Sequence, residues 1–416
     1  MSDIHHNKPT ISFEEEYRKL PWGQHFPWTV AMRQENNNRN RFEHLLAYDH
    51  SRVRLKGRYD DETDYVNANY INGFVHKKAY IAAQSPYNPD TVYDFWYMVY
   101  TENIEQIVFL ACLMEDGVVK CEQYWPDPGT FQTENIVVRH IETELYANFV
   151  IRTFDVLLEG QELKRVVQYH FTQWPEHGIP DDPIPFLEFR RKVRGDAAVP
   201  ERDTNAPALP PVLVHCGTGV SRTAVYIAVD SLLDQAKLEQ SVNVFKFCQT
   251  MRHMRPNMVR TLKQYIFIYD ALFEALITNY NIIGDNLKVN YRQLSQVNPI
   301  TDKSYFREQF EVLEQYLPDV NPDDYKTALK ESNAAKNRFS AIVPPDRYRL
   351  KLHTQGGLGR NDYFNAVFVD SFTTPNAFVL TQTPLENTVA DFWKMVYDYK
   401  VSDDVIRCLR HTRVRY

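Results

Sequence analysis

At 416 residues the chain is longer than one ordinary domain, and 44% apolar with 24% charged residues is a globular balance able to bury a sizeable core. A formal charge of −7 and a pI near 6.0 argue against a nucleic-acid binder or a protein held to an anionic membrane surface. The chain has no secretory segment and no 18-residue apolar run. Its five cysteines (Cys112, Cys121, Cys216, Cys248, Cys408) lack C-x-x-C spacing, which points to a reducing cytosol without a disulfide framework or metal site.

In chain order, the first distinct blocks are RNRF (Arg39–Phe42), DYVNANYING (Asp64–Gly73), AAQSP (Ala82–Pro86) and the helical pattern TVYDFWYMVY (Thr91–Tyr100). EQIVFLACL (Glu105–Leu113) follows as an apolar run of the kind that forms a buried strand. NIVVRHI (Asn135–Ile141), FVIRTFDVLL (Phe149–Leu158) and KRVVQYHF (Lys164–Phe171) alternate in character and read as antiparallel strands. Helical patterns cover Ile184–Val193, Ala224–Lys237 and Tyr265–Ile277. The proline-rich stretch Ala206–Pro211 is a loop feeding the short apolar strand Val212–Val214. Strands and helices mixed in one long module predict a mixed sheet with helices on both faces.

Beyond a polar stretch around Thr278–Thr301, Phe306, Phe310, Leu313 and Leu317 stand at helical spacing and predict a short amphipathic helix. The early blocks then recur in the same order: KNRF (Lys336–Phe339), DYFNAVFVDS (Asp362–Ser371), LTQTP (Leu380–Pro384) and TVADFWKMVY (Thr388–Tyr397). Order kept, and spacing nearly kept, across four blocks indicate two copies of one module. The expected layout is a first domain over 14–280, a linker over 281–301 and an incomplete second domain over 302–416. This second copy retains Phe339 but has no counterpart of the later elements of the first, so it is expected to be catalytically silent and only partly folded.

After Val212–Val214 comes H-C-G-T-G-V-S-R-T, His215 to Thr223, and then a helix. A strand that enters a glycine-bearing loop opening a helix makes an anion site, because backbone N–H groups converge there and the helix N-terminus adds positive potential. Cys216 opens the loop, where amides and a cation would hold it as the nucleophilic thiolate. Arg222, after five intervening residues, can meet two oxygens of one phosphate, and Thr223 could donate to the sulfur. A lone cysteine is more often a small buried hydrophobe. The whole constellation outweighs that reading.

The loop resembles the signature H-C-x-x-G-x-x-R-[ST] of the protein tyrosine phosphatases, and the tandem repeat resembles the cytoplasmic part of receptor-type members. The resemblance runs from about Glu14 to Lys400 and implies an α/β fold of the α+β type, with a twisted, largely antiparallel mixed sheet flanked by helices. It implies that His215, Gly217, Thr218, Gly219, Val220 and Ser221 line the phosphate cradle. It also implies that Phe42 walls a deep pocket against the substrate ring. Glu115 would orient Arg222 with Lys120 nearby, the lesser alternative for both being a solvated surface turn. Trp174, Pro175 and Glu176 would form a mobile lid carrying the general acid, and Gln264 would stand near the attacking water. The implied reaction passes through a cysteinyl-phosphate and needs no cofactor or metal. The implied partners are phosphotyrosine proteins, with no nucleic acid and no membrane contact by this chain. The implied location is the cytoplasm, with any membrane span lying upstream.

Several positions depart from the family pattern. Glu176 stands where active members usually carry Asp, which moves the carboxyl by about 1.5 Å. Arg260 replaces a water-positioning glutamine, Ser221 and Ala224 replace glycines, and His44 replaces an Asn or Asp. With phosphate binding intact and proton handling altered, two readings compete: a slow phosphatase, and a phosphotyrosine-binding scaffold with negligible turnover. A redox-sensing role for Cys216 is compatible with both.

Overall fold

The computed structural model describes residues 10–56, 63–195, 209–277, 287–316, 321–353 and 361–401. Residues 206–208 of the proline-rich loop, 278–286 of the expected boundary, Leu317 and Cys408 lie outside the described residues. The chain divides into two compact units, Met1–Lys288 and Val289–Tyr416.

The strands of the first unit are β1 (Arg52–Arg54), β2 (Tyr65–Ile71), β3 (Tyr80–Gln84), β4 (Gln106–Phe109), β5 (Met114–Glu115), β6 (Val118–Val119), β7 (Thr130–Thr133), β8 (Ile136–Leu145), β9 (Phe149–Leu158), β10 (Lys164–Phe171) and β11 (Val212–Cys216). Among the described residues, nine of them form one sheet in the order β1-β2-β3-β11-β4-β10-β9-β8-β7, while β5 and β6 form a separate hairpin. The pairings β3–β11, β11–β4 and β4–β10 are parallel and the outer ones antiparallel, so the sheet is mixed and largely antiparallel, as expected. The alternation that predicted β8 to β10 reflects their position toward one side of the sheet. β11 lies at the centre, where Leu213 and Val214 are fully buried, and therefore reads as a continuous apolar run.

Among the described residues, six α-helices accompany this sheet: α1 (Thr10–Arg18), α2 (Pro89–Thr101), α3 (Ile184–Arg194), α4 (Arg222–Glu239), α5 (Val244–Met254) and α6 (Leu262–Ile277). α2 starts earlier than its apolar pattern because Asn88 and Thr91 form a reciprocal capping box and Pro89 occupies the first turn. α5 was not expected from the sequence. It is capped by Asn243 and buries Val244, Cys248, Met251 and Arg252 along one stripe.

The second unit is smaller. α7 (Leu287–Leu294) occupies part of the segment read as a linker, and α8 (Tyr305–Tyr316) is the expected amphipathic helix. Phe306, Phe310 and Leu313 on α8 are exposed, Phe306 lying 5.6 Å from the Tyr291 ring. A short α9 (Glu331–Ala334) leads to a three-stranded antiparallel sheet, β12 (Arg349–Lys351), β13 (Tyr363–Val369) and β14 (Phe378–Thr381), followed by α10 (Val389–Asp398). Its core contains Leu350, Leu352, Phe364, Ala366, Phe392 and Met395.

The repeat extends to individual hydrogen bonds. Tyr65 donates to Asn40 Oδ1 at 2.6 Å, and Tyr363 donates to Asn337 Oδ1 at 2.6 Å. Gln84 Nε2 donates to the Arg39 carbonyl and Gln382 Nε2 to the Lys336 carbonyl, both at 2.7 Å. Arg39 pairs with Asp94 as Lys336 pairs with Asp391.

Candidate active site

β11 delivers Cys216 at the C-terminal end of a central strand, paired with Gln84 of β3, and α4 begins at Arg222. The loop between them turns at Gly219 (φ 69°), where a Cβ would lie 2.3 Å from the Ala83 carbonyl oxygen. Only glycine fits both the left-handed backbone and that close approach. At Gly217 a Cβ would meet the Lys120 carbonyl at an ordinary 3.7 Å. Ser221 sits partly exposed at the start of α4, its carbonyl accepting from the N–H groups of Ala224 and Val225, and Ala224 is fully buried. Val220 is also buried, and its carbonyl accepts from Val259 N at 3.0 Å.

The loop carbonyls are held by Arg255, which is fully buried. Its guanidinium donates to the carbonyls of Gly219 (3.0 Å) and Thr218 (3.3 Å), and to Asn69 Oδ1 (2.7 Å) and Asn67 Oδ1 (2.8 Å). Burial pushes its pKa down to about 10, partly offset by Tyr65 and Cys216. Two loop carbonyls are thereby engaged by one buried cation.

Cys216 is buried, and Thr223 Oγ1 donates to its sulfur at 3.2 Å. Thr218 Oγ1 lies 3.9 Å from the same sulfur. Burial alone would raise the thiol pKa. The hydroxyl and backbone N–H of Thr223, the Arg222 guanidinium and the Gly219 N–H outweigh it and lower the pKa below the ordinary thiol value. His215 is also buried: Nδ1 lies 2.9 Å from Ser85 Oγ and Nε2 lies 2.8 Å from the Tyr124 hydroxyl, with Phe109 stacked at 4.5 Å. Burial, with His170 adding to it, drops the His215 pKa to about 3, so the ring is neutral.

Arg222 is held in a bidentate pair by Glu115, at 2.5 Å and 2.9 Å, and also donates to the Leu110 carbonyl at 3.2 Å. Glu115 is buried and accepts from Cys112 N as well, so the surface-turn alternative does not hold for it. Lys120 is half-buried, and its carbonyl accepts from Arg41 Nη1 at 2.5 Å. The Arg41 guanidinium also lies 5.5 Å from the ring centre of Phe42, which is exposed.

Arg222 reaches the W-P-E segment too, donating to the Pro175 carbonyl at 3.0 Å and the Glu176 carbonyl at 3.5 Å. Trp174 is buried against Phe171, Phe186 and Phe267, with its indole N–H on the Gly178 carbonyl at 3.3 Å. Glu176 itself is exposed, and its contact with Arg222 is through the backbone. Gln264 is buried, and its side-chain carbonyl accepts from Arg260 N at 3.0 Å. The side chains of Arg260 and His44 are exposed.

The family model described as protein-tyrosine phosphatase matches residues 36–274 and again 333–412. The chain belongs to the protein-tyrosine phosphatase family. Among curated relatives, it is 36% identical over 394 residues to receptor-type tyrosine-protein phosphatase S of Gallus gallus, covering 94% of this chain and 25% of that protein. It is 35% identical over 393 residues to receptor-type tyrosine-protein phosphatase F of Rattus norvegicus, covering 94% and 20%. Against receptor-type tyrosine-protein phosphatase U of Gallus gallus it is 36% identical over 390 residues, covering 93% and 26%. The chain therefore spans about a quarter or less of the length of these relatives.

Sequence reading missed several residues that this phosphatase-family loop depends on: Arg255, Asn67, Asn69, Ser85, Tyr124 and Arg41. One signal was available. Asn69 in D-Y-V-N-A-N aligns with Val367 in D-Y-F-N-A-V, marking a polar position used only in the copy with the loop. Among the described residues no group of His, Cys, Asp or Glu side chains is placed to hold a metal ion. No described helix is long and apolar enough to cross a membrane.

Proposed function

We propose that this chain hydrolyses phosphotyrosine on proteins through a cysteinyl-phosphate, with turnover slowed by Glu176 and Arg260. The observation that carries the reading is the low-pKa sulfur of Cys216, hydrogen-bonded by Thr223 and facing an arginine held in a bidentate pair by Glu115. The thiolate attacks phosphorus and the P–O bond to the tyrosyl oxygen breaks, while the Glu176 carboxyl gives that oxygen its proton. Water then attacks phosphorus, the S–P bond breaks, and the Glu176 carboxylate takes the water's proton as phosphate leaves. Loop N–H groups and Arg222 stabilise the charge on the equatorial oxygens in both steps. Phe42, with Arg41 beside it, walls the slot for the ring, and Gln264 orients the water. In this reading the chain is a cytoplasmic part of a receptor-type protein acting on phosphotyrosine proteins.

The reaction is tested by phosphate release from a phosphotyrosine peptide, with Cys216→Ser as the blank. Release that needs the sulfur supports the reading, and release surviving its loss removes the nucleophile assignment. Exposed Glu176 and the arginine at position 260 favour a second reading, capture of phosphotyrosine without turnover. Tight peptide binding with no release above the blank would establish it.

A further inference from the structure

Glu115 and Asp116 are neighbours on the tight hairpin joining β5 to β6. Asp116 (φ 51°) and Gly117 (φ 71°) are both left-handed, the conformation of a two-residue type I′ turn. Glu115 turns inward and grips Arg222. Asp116 Oδ2, at the next position, lies 3.0 Å from Nε2 of His177, the residue that follows Glu176. On the other side of Glu176, the Pro175 carbonyl accepts from Arg222, which Glu115 holds. Glu176 therefore stands between two anchors, and both lead back to the same hairpin. The hairpin is itself fixed from behind, because Arg41 donates to the carbonyls of Val119 and Lys120, and Lys120 N donates to the Leu113 carbonyl at 2.7 Å.

We propose that Asp116 and His177 are positioning residues that hold the lid to the hairpin and so set where the Glu176 carboxyl delivers its proton. The proposal rests on the reading of Glu176 as the general acid. One turn then links the two halves of the chemistry: its first carboxylate orients the phosphate clamp, and its second orients the acid. Glu176 carries a long, flexible side chain on an exposed loop, so an anchor on each side narrows the positions its carboxyl samples. The side chains of His177 and Asp116 are 86% and 45% exposed, so their pairing contributes little to global folding. A role in catalysis is therefore separable from a structural one.

The test uses the full chain and two substrates. A phosphotyrosine peptide needs its leaving oxygen protonated, whereas an aryl phosphate with a strongly acidic phenol departs without help. Asp116→Asn keeps a residue that tolerates the left-handed turn, and His177→Gln removes the other partner. Each change should lower kcat on the peptide about two- to fivefold, the range expected for an exposed pair. Each should leave the acidic-phenol substrate unaffected, and the double variant should fall no further than either single one. Equal losses on both substrates, independent losses in the double variant, or no loss on the peptide would overturn the proposal. Glu176→Gln is measured alongside. If it too shows no leaving-group selectivity, the acid assignment fails and the positioning role falls with it. If it is selective while Asp116→Asn is silent, the positioning role alone is wrong.

Discussion

In the first copy Trp96 is 0% exposed, with its indole N–H on the Tyr124 carbonyl at 2.7 Å; in the second copy Trp393, from the same D-F-W block, is 61% exposed. The difference lies in what the sheet has on its far side. β3 has β2 on one edge and β11 on the other, whereas β14 pairs among the described residues with β13 alone. Phe378 and Leu380 on β14 are exposed where their counterparts Tyr80 and Ala82 are buried. β11, the strand that closes this edge in the first copy, is also the strand that carries His215 and Cys216. Completing the core and bringing in Cys216 are therefore one structural event. The asparagine and glutamine hydrogen bonds shared by both copies make a frame that forms with or without a paired β11.

If the chemistry belongs to the first copy alone, Cys216→Ser should remove all phosphate release from the whole chain and leave phosphotyrosine binding largely intact. Binding should survive because the cradle amides and Arg222 do not depend on the sulfur. Residual release in this variant, measured on a phosphotyrosine peptide, would mean that the second copy or another nucleophile contributes, and the comparison would break there.

The tryptophan pair tests the packing half of the comparison. Trp96 makes edge contacts with Phe95, Tyr124 and Phe154, and Trp96→Ala should destabilise the first unit by about 3–5 kcal/mol. Trp393→Ala should change the second unit by no more than about 0.5 kcal/mol, the effect of an ordinary surface substitution. Urea unfolding combined with hydrogen exchange resolved by peptide would report each unit separately. A large loss at Trp393 would mean that its face is covered in solution.

Legibility in the sequence followed locality. β8 to β10 were readable because each shows its own alternation, and the loop from His215 to Thr223 because Cys216 and Arg222 stand six positions apart with glycines between them. β2 and β3 were quoted as repeat blocks but not recognised as strands. Asn67 and Asn69 put polar side chains into a strand that is almost wholly buried, which defeats a hydrophobicity pattern. The support of the loop was illegible for a related reason. Arg255 reaches Asn67 and Asn69 across separations of 188 and 186 residues, and no local pattern records such a pairing. Glu115 and the W-P-E segment were found through family resemblance. The contact between Asp116 and His177 was not.

The smallest expected effect comes from exchanging a position at which the two copies differ, Asn69 and Val367. In the first copy Asn69 accepts from Arg255 at 2.7 Å and donates to Ser51 Oγ at 3.0 Å. Asn69→Val, which imports the residue of the second copy, would leave a buried guanidinium donor without its acceptor and remove the donor to Ser51 Oγ, whose own hydroxyl still donates to the Met254 carbonyl. A buried polar group left unsatisfied costs about 1–3 kcal/mol, so the first unit should lose stability on that scale. Because Arg255 also holds the carbonyls of Thr218 and Gly219, oxyanion affinity should fall with it, read with orthovanadate as the probe. The reverse change, Val367→Asn, meets no such arginine among the described residues and sits on a half-buried strand position. It should stay within about 0.5 kcal/mol. Asymmetry between the two exchanges would assign Asn69 to the phosphate loop, while equal losses would assign both positions to the shared frame.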